Sequence, residues 1–168
     1  MGKISMKYLA ILSLLLLCGC PHADTEDFAK TKPKNEDLVG KYVLNAETLK
    51  WVRGKGNYPK VETSIELSKD GSFQMVNMPD WWFEPFGDPK GGFDSGVGKW
   101  SVLQDQEWWS VCLCFKDTKD FSAKHRCSGW FTIGAQIKGQ SVPYRLWFHV
   151  GDPDQGEGMI FEKIAGGS

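Results

Sequence analysis

Cys112-x-Cys114 and His125-x-Cys127 put three thiols and an imidazole in one short stretch. Four soft ligands of this kind match the donor set of a tetrahedral zinc site built from Cys112, Cys114, His125 and Cys127. The same thiols could instead form one disulfide, Cys112–Cys127 or Cys114–Cys127. Cys112 and Cys114 are adjacent same-face positions on an extended strand and suit a direct bridge poorly. The remaining thiol then acts as a small buried hydrophobe. Asp152, Asp154 and Glu157 place three carboxylates in the glycine-rich segment Gly151–Gly158, a hard-oxygen set suited to calcium. Pro153 and the irregular spacing argue instead for a plain turn. Cys114, His125, His149 and Asp152 are the available parts for catalysis. No segment has the form of a nucleophile elbow, a zinc-protease helix or a phosphate loop, so no enzyme and no cofactor is expected.

Binding chemistry is better represented. Aromatic residues make up 13% of the 168-residue chain, and Trp accounts for 8 of them. The connection from Met78 to Gly96 contains Asp80-Trp81-Trp82-Phe83-Glu84-Pro85-Phe86, too aromatic for a simple linker. Trp81, Trp82, Phe83 and Phe86 either fold back to plug the domain or present an aromatic surface to a partner. A second set alternates with apolar residues: Trp108, Ser110, Cys112 and Cys114, then Trp130 and Thr132, then Arg145, Trp147 and His149. This face is solvent surface covered by long stems, or it lines a pocket in which Arg145 and His149 fix a polar ligand head. With 20 Lys+Arg against 21 Asp+Glu, the chain lacks the basic footprint of a nucleic-acid binder.

These residues must be held by strands. From Leu38 onward the pattern has period two, with no convincing helix. Leu38–Leu44 opens the domain, and Val61, Thr63, Ile65 and Leu67 alternate before Asp70-Gly71, an Asp-Gly hairpin step, and Phe73 and Met75. Val97–Leu103 and Glu107–Phe115 form the next pair. Phe131–Ile137, Val142–Val150 and Met159–Lys163 complete the set. Eight antiparallel strands predict an all-β, eight-stranded barrel, with a two-sheet sandwich as the alternative. The expected organisation is a leader over 1–19, a tether over 20–37, a barrel over 38–164 and a short disordered tail over 165–168.

The leader has Lys3 and Lys7 before an apolar run from Tyr8 to Leu17, too short to span a bilayer as a helix. It ends in Leu17-Cys18-Gly19-Cys20, which resembles the lipobox of bacterial lipoproteins. That resemblance implies cleavage after Gly19 and acylation of Cys20, hence a membrane-anchored protein outside the cytoplasm. In that family an Asp after the lipidated Cys favours the inner membrane. Pro21 stands there instead, so a periplasm-facing place on the outer membrane is expected. An oxidising compartment favours the disulfide over zinc. Leu38-x-Gly40-x-Tyr42, followed by Ile65-x-Leu67-x-x-Asp70-Gly71-x-Phe73, resembles the start of lipocalin-like bacterial domains, whose ligands vary widely. Ser95-Gly96-x-Gly98-x-Trp100 is similar to a Ser-Gly motif of small β-barrel lipoproteins that inhibit lysozyme. The expected function is an envelope binding module that presents the Trp-rich loop to a protein or polymer, with an inhibitor or immunity protein as one subtype. A carrier of a small apolar ligand and a hydrolase of an envelope component are the alternatives. Replacing Cys20 with Ser should abolish acylation and move the protein from the detergent phase to the aqueous phase. Undiminished acyl incorporation would place the anchor elsewhere.

Overall fold

A computed structural model describes residues 27–82, 89–105, 107–116, 134–150 and 156–165. Its strands are β1 (Gly40–Leu44), β2 (Ser64–Leu67), β3 (Ser72–Pro79), β4 (Phe93–Asp105), β5 (Trp108–Phe115), β6 (Gly134–Lys138), β7 (Arg145–His149) and β8 (Gly158–Lys163). Each strand pairs antiparallel with its neighbour in sequence, and β8 pairs back onto β1, so the sheet is a closed barrel of eight strands rather than a sandwich. Closure leaves no free sheet edge. Among the described residues two α-helices flank the strands, α1 (Asn35–Leu38) and α2 (Ala46–Gly56).

Alternation along the strands fills the interior. Tyr42, Ile65, Leu67, Val111, Ile137, Leu146, Phe148 and Phe161 are each 0% exposed. Their rings pack edge to face: Phe148 and Phe161 have centroids 5.2 Å apart, and Phe73 and Phe115 are 5.0 Å apart. Such aromatic pairs contribute beyond the area they bury. The inside of the barrel is a packed core. One expected inward position differs: Val142 stands just before β7 and is 56% exposed.

Both ends are closed. At one end the Tyr42 Oη donates to the Leu38 carbonyl at 2.8 Å, and Lys163 Nζ donates to the Asp37 carbonyl at 2.8 Å, seating α1. At the other end lie α2 and a 3-10 turn over Asp80–Trp82. Asn45 caps α2 by accepting from the Thr48 N–H at 2.8 Å. The helix was not expected because only Thr48 and Val52 are buried, which leaves little apolar periodicity to detect. Its ends were nonetheless marked by the Asn45 cap, by Glu47 in the first turn and by Arg53 and Lys55 in the last.

The Trp-rich connection is the lid. Trp82 stands edge-on to Phe148 at 5.0 Å, and Trp81 packs on Trp51 of α2 at 5.1 Å. Trp81 is 5% exposed and Trp82 8%, so neither indole is presented to a partner; Phe83 and Phe86 lie outside the described residues. The Tyr58 hydroxyl donates to Asp80 Oδ1 at 2.5 Å, and Asp80 Oδ2 accepts from the Gly92 N–H at 3.0 Å, which pins the turn. Burial, together with the Asp80 carboxylate, holds the Tyr58 phenol above its usual range.

The domain also begins earlier than Leu38. The segment Asp27–Lys30, expected to be tether, is inserted between β5 and β6. The Ala29 N–H donates to the Ile137 carbonyl at 2.8 Å, and the Ala29 carbonyl accepts from the Trp109 N–H at 3.0 Å. Phe28 bridges to Lys138 and is 4% exposed. This strap completes a gap in the ladder that β5 and β6 leave open. Trp82→Ala should lower the unfolding free energy by about 3–5 kcal/mol in urea titration, as for a truncated core aromatic. A loss within about 0.5 kcal/mol, the surface range, would contradict the lid.

Candidate functional site

The strand registers set side by side the residues on the outer face of β4–β7. Leu103 pairs with Ser110, Ser110 with Gln136, and Gln136 with Trp147, so these four form one row across four strands. Gly134, opposite Cys112, belongs to the next row. Small residues among large ones leave a recess of about 220 Å³, lined by Leu103, Gln104, Asp105, Ser110, Gly134, Gln136, Trp147 and His149. Gly134 is required there because a Cβ would stand 2.9 Å from the Val111 carbonyl oxygen. Trp147 forms one wall. It lies flat against Gly158, where a Cβ would come within 2.2 Å of the indole, and Phe28 of the strap packs on it at 5.5 Å. His149 neighbours the same ring at 5.6 Å.

Ser110 is 4% exposed, yet its hydroxyl has no hydrogen-bond partner, and neither does the buried Oε1 of Gln136. Leaving a buried polar atom unpaired costs roughly 1–3 kcal/mol, so two of them facing one hollow call for a ligand or water there. Asp105 lines the same recess from the last position of β4, and its residue is exposed. A wider groove of about 780 Å³ lies over β2–β5, with Val97, Lys99 and Phe115 among its lining. It holds none of the unpartnered buried polar atoms found among the described residues.

The structure thus joins Trp147 and His149 but separates Arg145 from them in role. The Arg145 guanidinium donates to Asp27 Oδ2 at 2.8 Å, and Lys138 Nζ stands 3.6 Å from the same oxygen. Arg145 clips the strap to the barrel rather than holding a ligand head. Trp130 and Thr132 lie outside the described residues. Leu103, Asp105, Gly134 and Gln136 were not singled out from sequence. The available signal was Gln136, a polar residue alternating with Ala135 and Ile137 on the face shared with Trp147.

Cys112 is a buried free thiol, and burial pushes it up to about 11. That removes Cys112 from the disulfide candidates; Cys114 is not among the free thiols, and Cys127 lies outside the described residues. Among the described residues no three His, Cys, Asp or Glu side chains converge as a metal site. The zinc candidate also needs His125 and Cys127, and the calcium candidate needs Asp152 and Asp154, all outside that set. Glu157, the third calcium candidate, pairs with Lys55 at 3.2 Å.

Fold and register define a lipocalin-like, up-and-down antiparallel barrel whose hollow lies on its outside. No family model, curated protein or solved structure matches the chain. Cys112 should resist a thiol reagent at pH 8 in the folded protein, because a thiol near 11 is about a thousandth ionised there, and should react once urea unfolds the domain. Rapid labelling of Cys112 in the native state would contradict its burial.

Proposed function

We propose that this protein is a lipid-anchored binding module of the bacterial cell envelope. In this reading acylated Cys20 holds it on the periplasmic side of the outer membrane, and it engages an envelope protein or polymer through the outer recess of β4–β7. An inhibitor or immunity protein is one form of such a module. Ser110 carries the reading: a hydroxyl 4% exposed and without a partner, facing a hollow between Leu103 and Trp147. The carrier alternative is less favoured, because an interior ligand would have to displace the fully buried Phe148 and Phe161. Cys20 stands seven positions before Asp27, so the strap would lie within about 25 Å of the anchor even at full extension. A Cys114–Cys127 disulfide is part of the same reading, supported by the free state of Cys112.

A benzophenone side chain placed at Leu103, on the rim, should form a discrete adduct with an envelope component when cells are illuminated. The same probe at Val97, about 20 Å along β4, should not. An adduct from Val97 alone would move the site to the other groove.

A further inference from the structure

We infer that the group received by the recess is a guanidinium carried by the partner. This deepens the binding reading above and rests on it. Three facts about the lining point to a cationic donor. Two of the buried polar atoms that face it, Ser110 Oγ and Gln136 Oε1, lack a partner; the amide oxygen can only accept a hydrogen bond, and the hydroxyl can accept one as well as donate. Asp105 adds a carboxylate at the rim and makes no ion pair among the described residues. No Lys or Arg is among the lining, and the cations that β6 and β7 carry on the same outer face, Lys138 and Arg145, are both paired with Asp27. The recess therefore offers acceptors and a carboxylate with no Lys or Arg of its own to answer them.

Shape and platform narrow the choice. A hollow of about 220 Å³ is smaller than the roughly 300–1,000 Å³ of sites that enclose whole small molecules. It suits one terminal group on a larger partner. A guanidinium brings five donors in one plane, stacks on an indole such as Trp147, and loses less hydration than an ammonium on entering. Loss of Lys3 and Lys7 with the leader tips the whole chain further to the acidic side, which steers cations toward it. A neutral sugar can hydrogen-bond to Asp105 but brings no charge to offset it, whereas a guanidinium does both.

The test uses residues 21–168, which retain the strap and every strand of the barrel. Backbone and side-chain amide spectra are followed while N-acetylarginine amide, its neutral isostere N-acetylcitrulline amide, or methyl glucoside is added at millimolar concentration. N-acetylarginine amide should shift the Trp147 indole and Gln136 side-chain signals, weaken with added salt, and bind about fivefold less tightly to Asp105→Asn. N-acetylcitrulline amide and methyl glucoside should leave those signals in place. Equal binding of the arginine and citrulline compounds, or shifts from the glucoside alone, would overturn the guanidinium assignment. If none of the three binds while the Leu103 adduct forms, the ligand class is wrong and the recess remains the binding site. If the Leu103 adduct is also absent, both readings fall.

Discussion

The ring packing inside the barrel is the constraint on which the rest of the molecule depends. Phe148 meets Phe161 on one side and Trp82 on the other, with centroid distances of 5.2 and 5.0 Å. A small barrel of eight strands has an interior just wide enough for its own side chains or for one small ligand. Here the side chains take the space. Filling the centre stabilises the domain and closes it to cargo, so recognition is left to the loops or to the outer face. At the end held by Trp81 and Trp82, the aromatic residues that look most suited to recognition are themselves part of the closure.

The outer face gains its character from the strap. Phe28 covers Trp108 and Trp147, at 5.8 and 5.5 Å, and Asp27 draws in Lys138 and Arg145. These half-exposed ion pairs are worth little as stability, at most about 1 kcal/mol each. Their effect is positional, because they hold Lys138 and Arg145 on the strap, and neither lines the recess. The strap also leads directly back to Cys20. In the proposed reading the anchor, the strap and the wall of the site are one continuous piece of chain.

Much of the barrel was legible in the sequence because its alternation is strong. All eight strands overlap period-two runs such as Ile65-Leu67 and Leu146-Phe148, and the Asp70-Gly71 step marks its hairpin. Leu38, however, belongs to α1 rather than to the first strand, and β3 and β4 pair on to Pro79 and Phe93, shortening the expected Met78–Gly96 connection. What could not be read depends on contacts between distant segments. Phe28 sits alone in a polar stretch, and its burial is decided by a gap between β5 and β6 that no local pattern reveals. Helix α2 packs through Thr48 and Val52, too little apolar surface for a periodic signal. The recess is a property of register: Ser110, Gln136 and Trp147 are far apart in sequence and adjacent only because three strands align them. Grouping Arg145 with His149 by alternation was correct for the face, but alternation says nothing of Asp27, which engages Arg145.

The central claim is that binding occurs on the outside of a barrel that stays closed. Incorporating fluorotryptophan gives each indole its own fluorine resonance, and an isolated envelope fraction can then be added to the labelled domain. The account predicts that the Trp147 resonance moves while those of Trp81 and Trp82 stay in place. Movement of the Trp81 and Trp82 resonances with Trp147 unchanged would contradict it.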